Sequence, residues 1–299
     1  MKRVLILNDG RAGHVNQSVA LAKYLNLPYD VVEVAPRYPW SKVASYLLDR
    51  AGIRTASLFR EITLPHPEYG LVIAAGSLTY YMAKLLSGQL NAKSVTMMLP
   101  KGYSYDDYDT ILAQYHDQPP KAPNIIEMPA NFAYVEPKGI YKVDRKAVGI
   151  VIGGDNGVFT LSKEALKIQL DQIIALFSGY EIAVTTSPRT SKEIDALIAS
   201  YGFDYEVIFS QRPLNPIPDF LEQCETVFIT ADSTSMISEA ISFGEANIEI
   251  LPLKSSKENK FERFIAQLEE EGYIHIFDGT INTKNRKIDF RKYFKGLDL

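Results

Sequence analysis

The sequence predicts an α/β protein made of two Rossmann-like, doubly wound domains that face each other across a cleft. Three observations lead there. Short apolar runs alternate with longer stretches of helical periodicity along nearly the whole chain. The pattern restarts near the middle, so that each half opens with strand, glycine loop and helix. Several strand ends also run directly into Gly, Ser, Thr and Asp residues, at the place where open α/β sheets bind ligands.

In the first half, Val4 to Leu7 reads as a buried strand that stops at the turn signal Asn8-Asp9-Gly10. Residues 16–25 suit a helix, Asp30 to Val34 a strand and residues 40–49 a second helix. A strand from Gly70 closes in a Gly76-Ser77 turn before a helix over 79–86. Ser94 to Leu99, Thr110 to Ala113 and Ile125 to Met128 continue the strands. A polar, lysine-rich stretch at 136–146 is the expected linker, giving domains at 1–140 and 141–285.

The second half restarts with Ala147 to Ile152 and the loop Gly153-Gly154-Asp155-Asn156-Gly157. Ser162 is a good N-cap for a helix whose stripe is Leu166, Leu170, Ile173, Ile174 and Phe177. Glu181 to Thr186 and Glu206 to Phe209 read as strands, with helices at 191–200 and 219–223. Val227 to Ile229 then leads through Asp232-Ser233-Thr234-Ser235 into a helix that stops at Gly244. Ala246 to Leu251 and a helix over 261–271 follow, and the tail 286–299 is expected to form a last helix.

Composition narrows the function classes. At 299 residues, 46% hydrophobic and 23% charged, the chain has the make-up of a folded protein with room for two cores. A net charge of −4 argues against recruitment of nucleic acid over the whole surface. The single cysteine, Cys224, has no internal partner and reads as a small buried thiol. The opening apolar run is too short for a signal peptide, and no stretch approaches the roughly 20 apolar residues of a spanning helix. The expectation is a soluble, cytoplasmic protein. Tyr38 to Arg60 mixes Trp40, Leu47, Leu48 and Phe59 with Lys42, Arg50, Arg54 and Arg60. It reads as a core face with a solvated basic edge, or as peripheral contact with the inner membrane face.

Four loops could carry chemistry. In Asp9-Gly10-Arg11-Ala12-Gly13-His14, the glycines allow close approach and His14 sits at the end of the first strand. A histidine there can act as general base for a hydroxyl, donate to a phosphate, or simply order the loop. Gly153 and Gly154 suit backbone contacts to a diphosphate, although the loop lacks the dinucleotide fingerprint and the P-loop lysine. Arg189 could pair with a phosphate or be a solvated loop arginine. Ser233, Thr234 and Ser235 open a helix, a place that favours anions, with Glu239 further along to reach a sugar hydroxyl. His116-Asp117 could form an oriented pair, and Lys260 could enter a cleft or cap its helix. No Cys/His cluster suggests a metal site, although Asp155 and Asp232 could meet a magnesium carried by a diphosphate.

Taken in order, Asp9 to Gln17, His116-Asp117, Ile152 to Gly154, Thr186 to Thr190, Asn215-Pro216, Thr230 to Ala240 and Lys260-Phe261 resemble the mitochondrial fission family named for elongated mitochondria. Its bacterial members are described as glycosyltransferases. More distantly, the chain is similar to GT-B glycosyltransferases such as the peptidoglycan GlcNAc transferase. The resemblance implies a GT-B-like fold with an acceptor loop at Gly10, Arg11, Gly13, His14 and His116. It implies a donor diphosphate near Gly153, Gly154, Asp155, Arg189, Asp232, Ser233, Thr234, Ser235 and Lys260, with the ribose or sugar near Glu239. It also implies that no metal or other cofactor is needed, and that the tail crosses back to the first domain. One departure is Pro188, where the family tends to carry a second basic residue.

The resulting expectation is transfer of a sugar from a nucleoside-diphosphate sugar to an acceptor hydroxyl, on a lipid carrier or a glycan. His14 would assist the hydroxyl, with Asp9 or Asp117 orienting it. The rivals are a non-hydrolysing nucleotide-sugar epimerase and a non-catalytic nucleotide-binding or scaffold protein.

Overall fold

The computed structural model describes residues 3–255, 259–282 and 284–295. They divide into two compact units, residues 1–134 with 290–299, and residues 135–289.

The first unit is a six-stranded, all-parallel sheet. In chain order it contains β1 (Val4–Asn8), α1 (Ala12–Tyr24), β2 (Tyr29–Glu33), α2 (Ser41–Arg50), β3 (Leu71–Ala74), α3 (Tyr80–Leu90), β4 (Lys93–Thr96), β5 (Thr110–Gln114) and β6 (Ile125–Met128). The spatial order is β2-β1-β3-β4-β5-β6, so the winding reverses between β1 and β3. The apolar runs that signalled strands are the sheet's interior: Val4 to Leu7 and Leu71 to Ala74 are essentially inaccessible. Strands buried on both faces need such continuous apolar sequence.

The second unit has a sheet of the same kind. It contains β7 (Ala147–Ile152), β8 (Phe159–Thr160), α4 (Lys163–Leu176), β9 (Glu181–Thr186), α5 (Lys192–Tyr201), β10 (Tyr205–Val207), α6 (Ile217–Gln223), β11 (Thr226–Thr230), α7 (Thr234–Ala240), β12 (Asn247–Leu251), β13 (Lys254–Ser255), α8 (Lys260–Glu270) and β14 (His275–Ile276). The order β10-β9-β7-β11-β12-β14 is parallel throughout, with β8 and β13 pairing separately. Counted within the unit this is the 3-2-1-4-5-6 arrangement of a dinucleotide-binding sheet, and its winding reverses between β7 and β11. The fold class is therefore α/β with two doubly wound, Rossmann-like sheets, each over its own core.

Two boundaries differ from expectation. The units part after Tyr134 rather than at 140, because Asp219 at the start of α6 binds the intervening segment. Its carboxylate accepts backbone N–H bonds from Lys138 (2.7 Å), Gly139 (2.9 Å), Ile140 (2.7 Å) and Tyr141 (3.1 Å). The tail is a 3-10 turn, Phe290–Tyr293, and not a long helix. Residues 296–299, the end of the expected helix, lie outside the described residues. Phe290 stacks on Phe132 at 4.6 Å between ring centres, and Phe294 reaches Phe132 and Tyr24. Those contacts group this turn with the first unit.

Asp219 yields a prediction. Burial raises its pKa, but four N–H donors outweigh that and hold it below the ordinary carboxylate value. Its contribution to stability is thus present above the unfolded pKa and is lost as pH falls through the folded one. Asp219→Ala leaves these donors without their acceptor and should cost about 3 kcal/mol in denaturant unfolding at neutral pH. The difference from the parent should shrink under strong acid.

Candidate functional site

In the first unit, the residues after β1 meet the residues after β3 at the reversal of winding. Helix α1 starts at Ala12, four residues before the expected 16, with Arg11 as its extended N-cap. Gly13 and His14 therefore lie in its first turn, and the His14 N–H donates to the Arg11 carbonyl at 3.0 Å. The His14 ring Nδ1 stands 2.9 Å from Asp9 Oδ2. His14 keeps 20% of its side chain exposed and Asp9 only 4%, so the ring is accessible and its carboxylate partner is not. The other Asp9 oxygen accepts the Arg11 N–H at 3.2 Å, and the Gly10 N–H donates to Asn8 Oδ1 at 2.8 Å.

Gly76 makes this arrangement fit. Its φ of +90° disfavours other residues, and a Cβ there would collide with both the His14 ring and the Asp9 carboxylate. Tyr80, in the first turn of α3, lies in the field of the same acids. Burial pushes its hydroxyl pKa up, and the charges of Asp117 and Asp9 add to the rise. His116 is buried, whereas Asp117 pairs with Lys101 Nζ at 2.9 Å. Of the two carboxylates expected to orient His14, it is Asp9 that touches the ring.

In the second unit the centre is Asp232, whose side chain has no exposed surface. Its carboxylate accepts from Thr230 Oγ1 at 2.6 Å, from the Gly154 N–H at 3.2 Å and from Arg189 Nη2. The Gly153 N–H donates to Thr230 Oγ1 at 2.7 Å, and Asn156 Nδ2 donates to the Asp232 carbonyl at 2.9 Å. Thr190 Oγ1 donates to the Gly153 carbonyl at 2.6 Å and receives the Ser187 N–H. The loops after β7, β9 and β11 are thereby tied into one piece. A Cβ on Gly153 would strike the Asp232 carboxylate, and one on Gly154 the Arg189 carbonyl.

Several of the expected site residues are thus engaged within the protein. The amides of Gly153 and Gly154, expected to face a diphosphate, already serve Thr230 and Asp232. Asp232 accepts from three of the protein's own donors, and Asp155 Oδ1 accepts the Leu161 N–H at 2.7 Å, ordering its loop. The two acids act on the protein's own donors, and among the described residues no group of three His, Cys, Asp or Glu side chains could hold a metal. Ser233 is the N-cap of α7, its Oγ accepting the Met236 N–H at 3.4 Å. The side chains of Ser233, Thr234, Ser235 and Arg189 remain partly accessible around this piece. Asn259 caps α8 in a capping box with Glu262, and Lys260 Nζ lies over the Phe261 ring at 5.4 Å.

Glu239 stands apart. It is half-buried in α7, and burial pushes its carboxyl up to about 7, with Lys138 pulling the other way. At the end of the same helix, Lys287 Nζ donates to the carbonyls of Ala240 and Ala246 at 2.8 Å each. Thr230, Thr190, Gly76, Tyr80 and Lys138 escaped the sequence reading as site residues. Gly76 did show as a glycine ending a buried strand, but only the strand order brings it beneath His14.

The family model described as mitochondrial fission ELM1 matches residues 12–292. An uncharacterized protein of Rickettsia prowazekii, RP120, is 23% identical over 93% of this chain and 91% of its own length. Among solved structures, a putative UDP-N-acetylglucosamine 2-epimerase from Listeria monocytogenes superposes with a TM-score of 0.51 at 10% identity, over 92% of this chain and 84% of that one. The spinosyn forosaminyltransferase SpnP superposes with a TM-score of 0.50 at 14% identity, over 93% and 86%. These likenesses show a fold of the GT-B-like class.

The Glu239 environment is testable in solution. An acid whose folded pKa of about 7 exceeds its ordinary 4.5 keeps its proton longer in the folded state. Folded stability should therefore fall as pH rises from 4.5 to 7, by up to about 3 kcal/mol, relative to a side chain that does not ionise. Glu239→Gln should match the parent near pH 4 and be the more stable protein at pH 8 in denaturant titrations. Parallel curves across that range would refute the burial argument.

Proposed function

This chain belongs to the mitochondrial fission ELM1 family, and on that premise we propose that it is a glycosyltransferase using a nucleoside-diphosphate sugar. The observation that carries the reading is the Asp9–His14 pair at the winding reversal of the first sheet, in a niche that only a glycine at 76 leaves open. With Asp9 on Nδ1, the imidazole favours the tautomer whose Nε2 is free to accept a proton. His14 then takes the proton of the acceptor hydroxyl as its oxygen forms the bond to the anomeric carbon and the nucleoside diphosphate leaves.

The second unit supplies the donor site on this reading. The hydroxyls of Ser233, Thr234 and Ser235 and the half-exposed Arg189 guanidinium hold the diphosphate. One guanidinium nitrogen is engaged by Asp232, which fixes the group while leaving other donors for an anion. The carboxyl of Glu239 takes a hydroxyl of the ribose or sugar. Fixed dipoles of this kind stabilise a leaving diphosphate without waiting for solvent to reorganise. The acceptor is a hydroxyl compound, with a lipid carrier or a glycan as the classes to try, and the protein acts in the cytoplasm.

A second reading has one observation in its favour. Glu239, poised near neutrality, suits proton transfer within the donor site, as a nucleotide-sugar epimerase would need. Product formed without any acceptor would select that reading.

The test is a thermal-shift series with UDP-, GDP-, ADP-, dTDP- and CMP-linked sugars. One nucleotide should raise the Tm, with stabilisation of about 2.7 kcal/mol at a hundred times its Kd. Arg189→Ala and Ser233→Ala should weaken that shift. His14→Ala should keep it while slowing transfer by about 10²–10⁴-fold. Failure of every nucleotide sugar to bind, or full transfer by His14→Ala, sinks the proposal.

A further inference from the structure

Helix α2 packs Ala44, Tyr46 and Leu48 partly against the core, yet it buries a polar stripe most deeply and leaves an apolar one exposed. Its buried residues are Ser41, Ser45 and Asp49, one per turn, at 0%, 0% and 3% exposure. Its outward residues include Val43 and Leu47 at 63% and 62%, and Trp40 at its N-cap is 56% exposed. An ordinary surface helix turns its apolar stripe inward. Tyr38 stacks on Trp40 with ring centres 5.0 Å apart, and exposed Ile53 follows the helix, so the apolar surface continues past both of its ends.

This rotation is pinned by polar contacts on the buried side. Ser45 Oγ lies 2.8 Å from the Tyr103 hydroxyl. Asp49 accepts from Lys84 Nζ at 2.8 Å and from the Ser104 N–H at 2.7 Å, with Arg54 at 3.3 Å. Turning the helix to hide Val43 and Leu47 would strip these partners from buried charges, which costs far more than exposing two aliphatic side chains.

The charge around the stripe is as uneven as its polarity. Between residues 36 and 60 the basic residues are Arg37, Lys42, Arg50, Arg54 and Arg60, and Asp49 is the one acid, in a chain of net charge −4. Asp49 is fully buried and neutralised by Lys84, so it offsets nothing at the surface. Arg37, Lys42, Arg50 and Arg60 form no ion pair among the described residues. Exposed Val and Leu on one helix face, with Trp, Tyr and Ile beyond its ends and unpaired Arg and Lys nearby, are complementary to an anionic lipid interface. The aromatic rings sit at headgroup depth, the aliphatic side chains reach the acyl boundary, and the long basic side chains extend to the phosphates.

We propose that the α2 face of the first unit, centred on Trp40, Val43 and Leu47, docks the protein on an anionic phospholipid surface. This inference does not depend on the reaction proposed above, and its assay contains no sugar nucleotide.

Trp40 is the only tryptophan in the chain, so its fluorescence reports on this face alone. The full-length protein should show a blue-shifted emission and co-sediment with phosphatidylcholine vesicles containing phosphatidylglycerol, and both effects should fade with added salt. Lys42→Gln with Arg50→Gln should weaken partitioning about 25-fold, about fivefold for each charge removed. Leu47→Ser should weaken it about tenfold while keeping the parent's Tm, since Leu47 contributes little to the core. No shift with these vesicles, or equal and salt-insensitive binding to vesicles of phosphatidylcholine alone, overturns the proposal. Concentration-dependent self-association abolished by Leu47→Ser, without vesicle binding, overturns it in favour of an interface between two copies.

Discussion

The candidate donor site depends on one buried carboxylate. Asp232 follows β11, yet its oxygens are taken up by Thr230 of its own strand, the amide of Gly154 after β7 and the guanidinium of Arg189 after β9. A charge without exposed surface is tolerable only when donors surround it, and here three connections supply them. Chain segments that are distant in sequence are thereby fixed with little freedom. The consequence is pre-organisation: the hydroxyls of Ser233 to Ser235 and the free side of Arg189 are set before any ligand arrives. A ligand then forfeits less ordering entropy on binding.

Close backbone approach is the shared device of the two sheets. In the first, Gly76 clears the space in which His14 meets Asp9. In the second, Gly153 and Gly154 let Asp232 and the Arg189 carbonyl lie against the loop after β7. In both, the glycine sits beside a reversal of strand order, where the loops of two neighbouring strands diverge and leave a crevice. The two sites differ in what fills the crevice. The first holds an accessible imidazole backed by a shielded carboxylate. The second holds a fully engaged acid with hydroxyls around it.

Much of the fold was legible because its signals are local. The run Ala147 to Ile152 is a strand over those same residues, since a parallel strand buried on both faces demands a continuous apolar sequence. His14 and the Asp232 stretch were legible as site residues because their turn chemistry lies within a few residues. What escaped depends on pairings distant in sequence. Gly154 and Asp232 are 78 residues apart, and Asp219 binds amides 78 to 81 residues away. Nothing near Gly153 says that its amide will be claimed by a threonine of another strand, so its expected role toward a phosphate could not be checked locally. The same limit applied to the domain boundary. The stretch 136–146 has the polar make-up of a linker, but the carboxylate that captures it stands on α6.

Helix α2 makes the complementary point about patterning. The expected reading was a core face with a solvated basic edge, or peripheral membrane contact; Leu48 and Phe59 do join the core, whereas Trp40 and Leu47 stay outside. Periodicity reports that a helix has two faces, and says nothing of which one a buried ion pair will hold inward. Lys84 and Asp49 decide that here. Each is almost fully buried, so the pair is stable only with the helix in this rotation, and a cheaper solution would have replaced both with aliphatic side chains. This arrangement keeps a desolvated ion pair inside and leaves Val43, Leu47 and the single tryptophan outside. The outward surface, with its surplus of basic charge, is where that cost can be recovered.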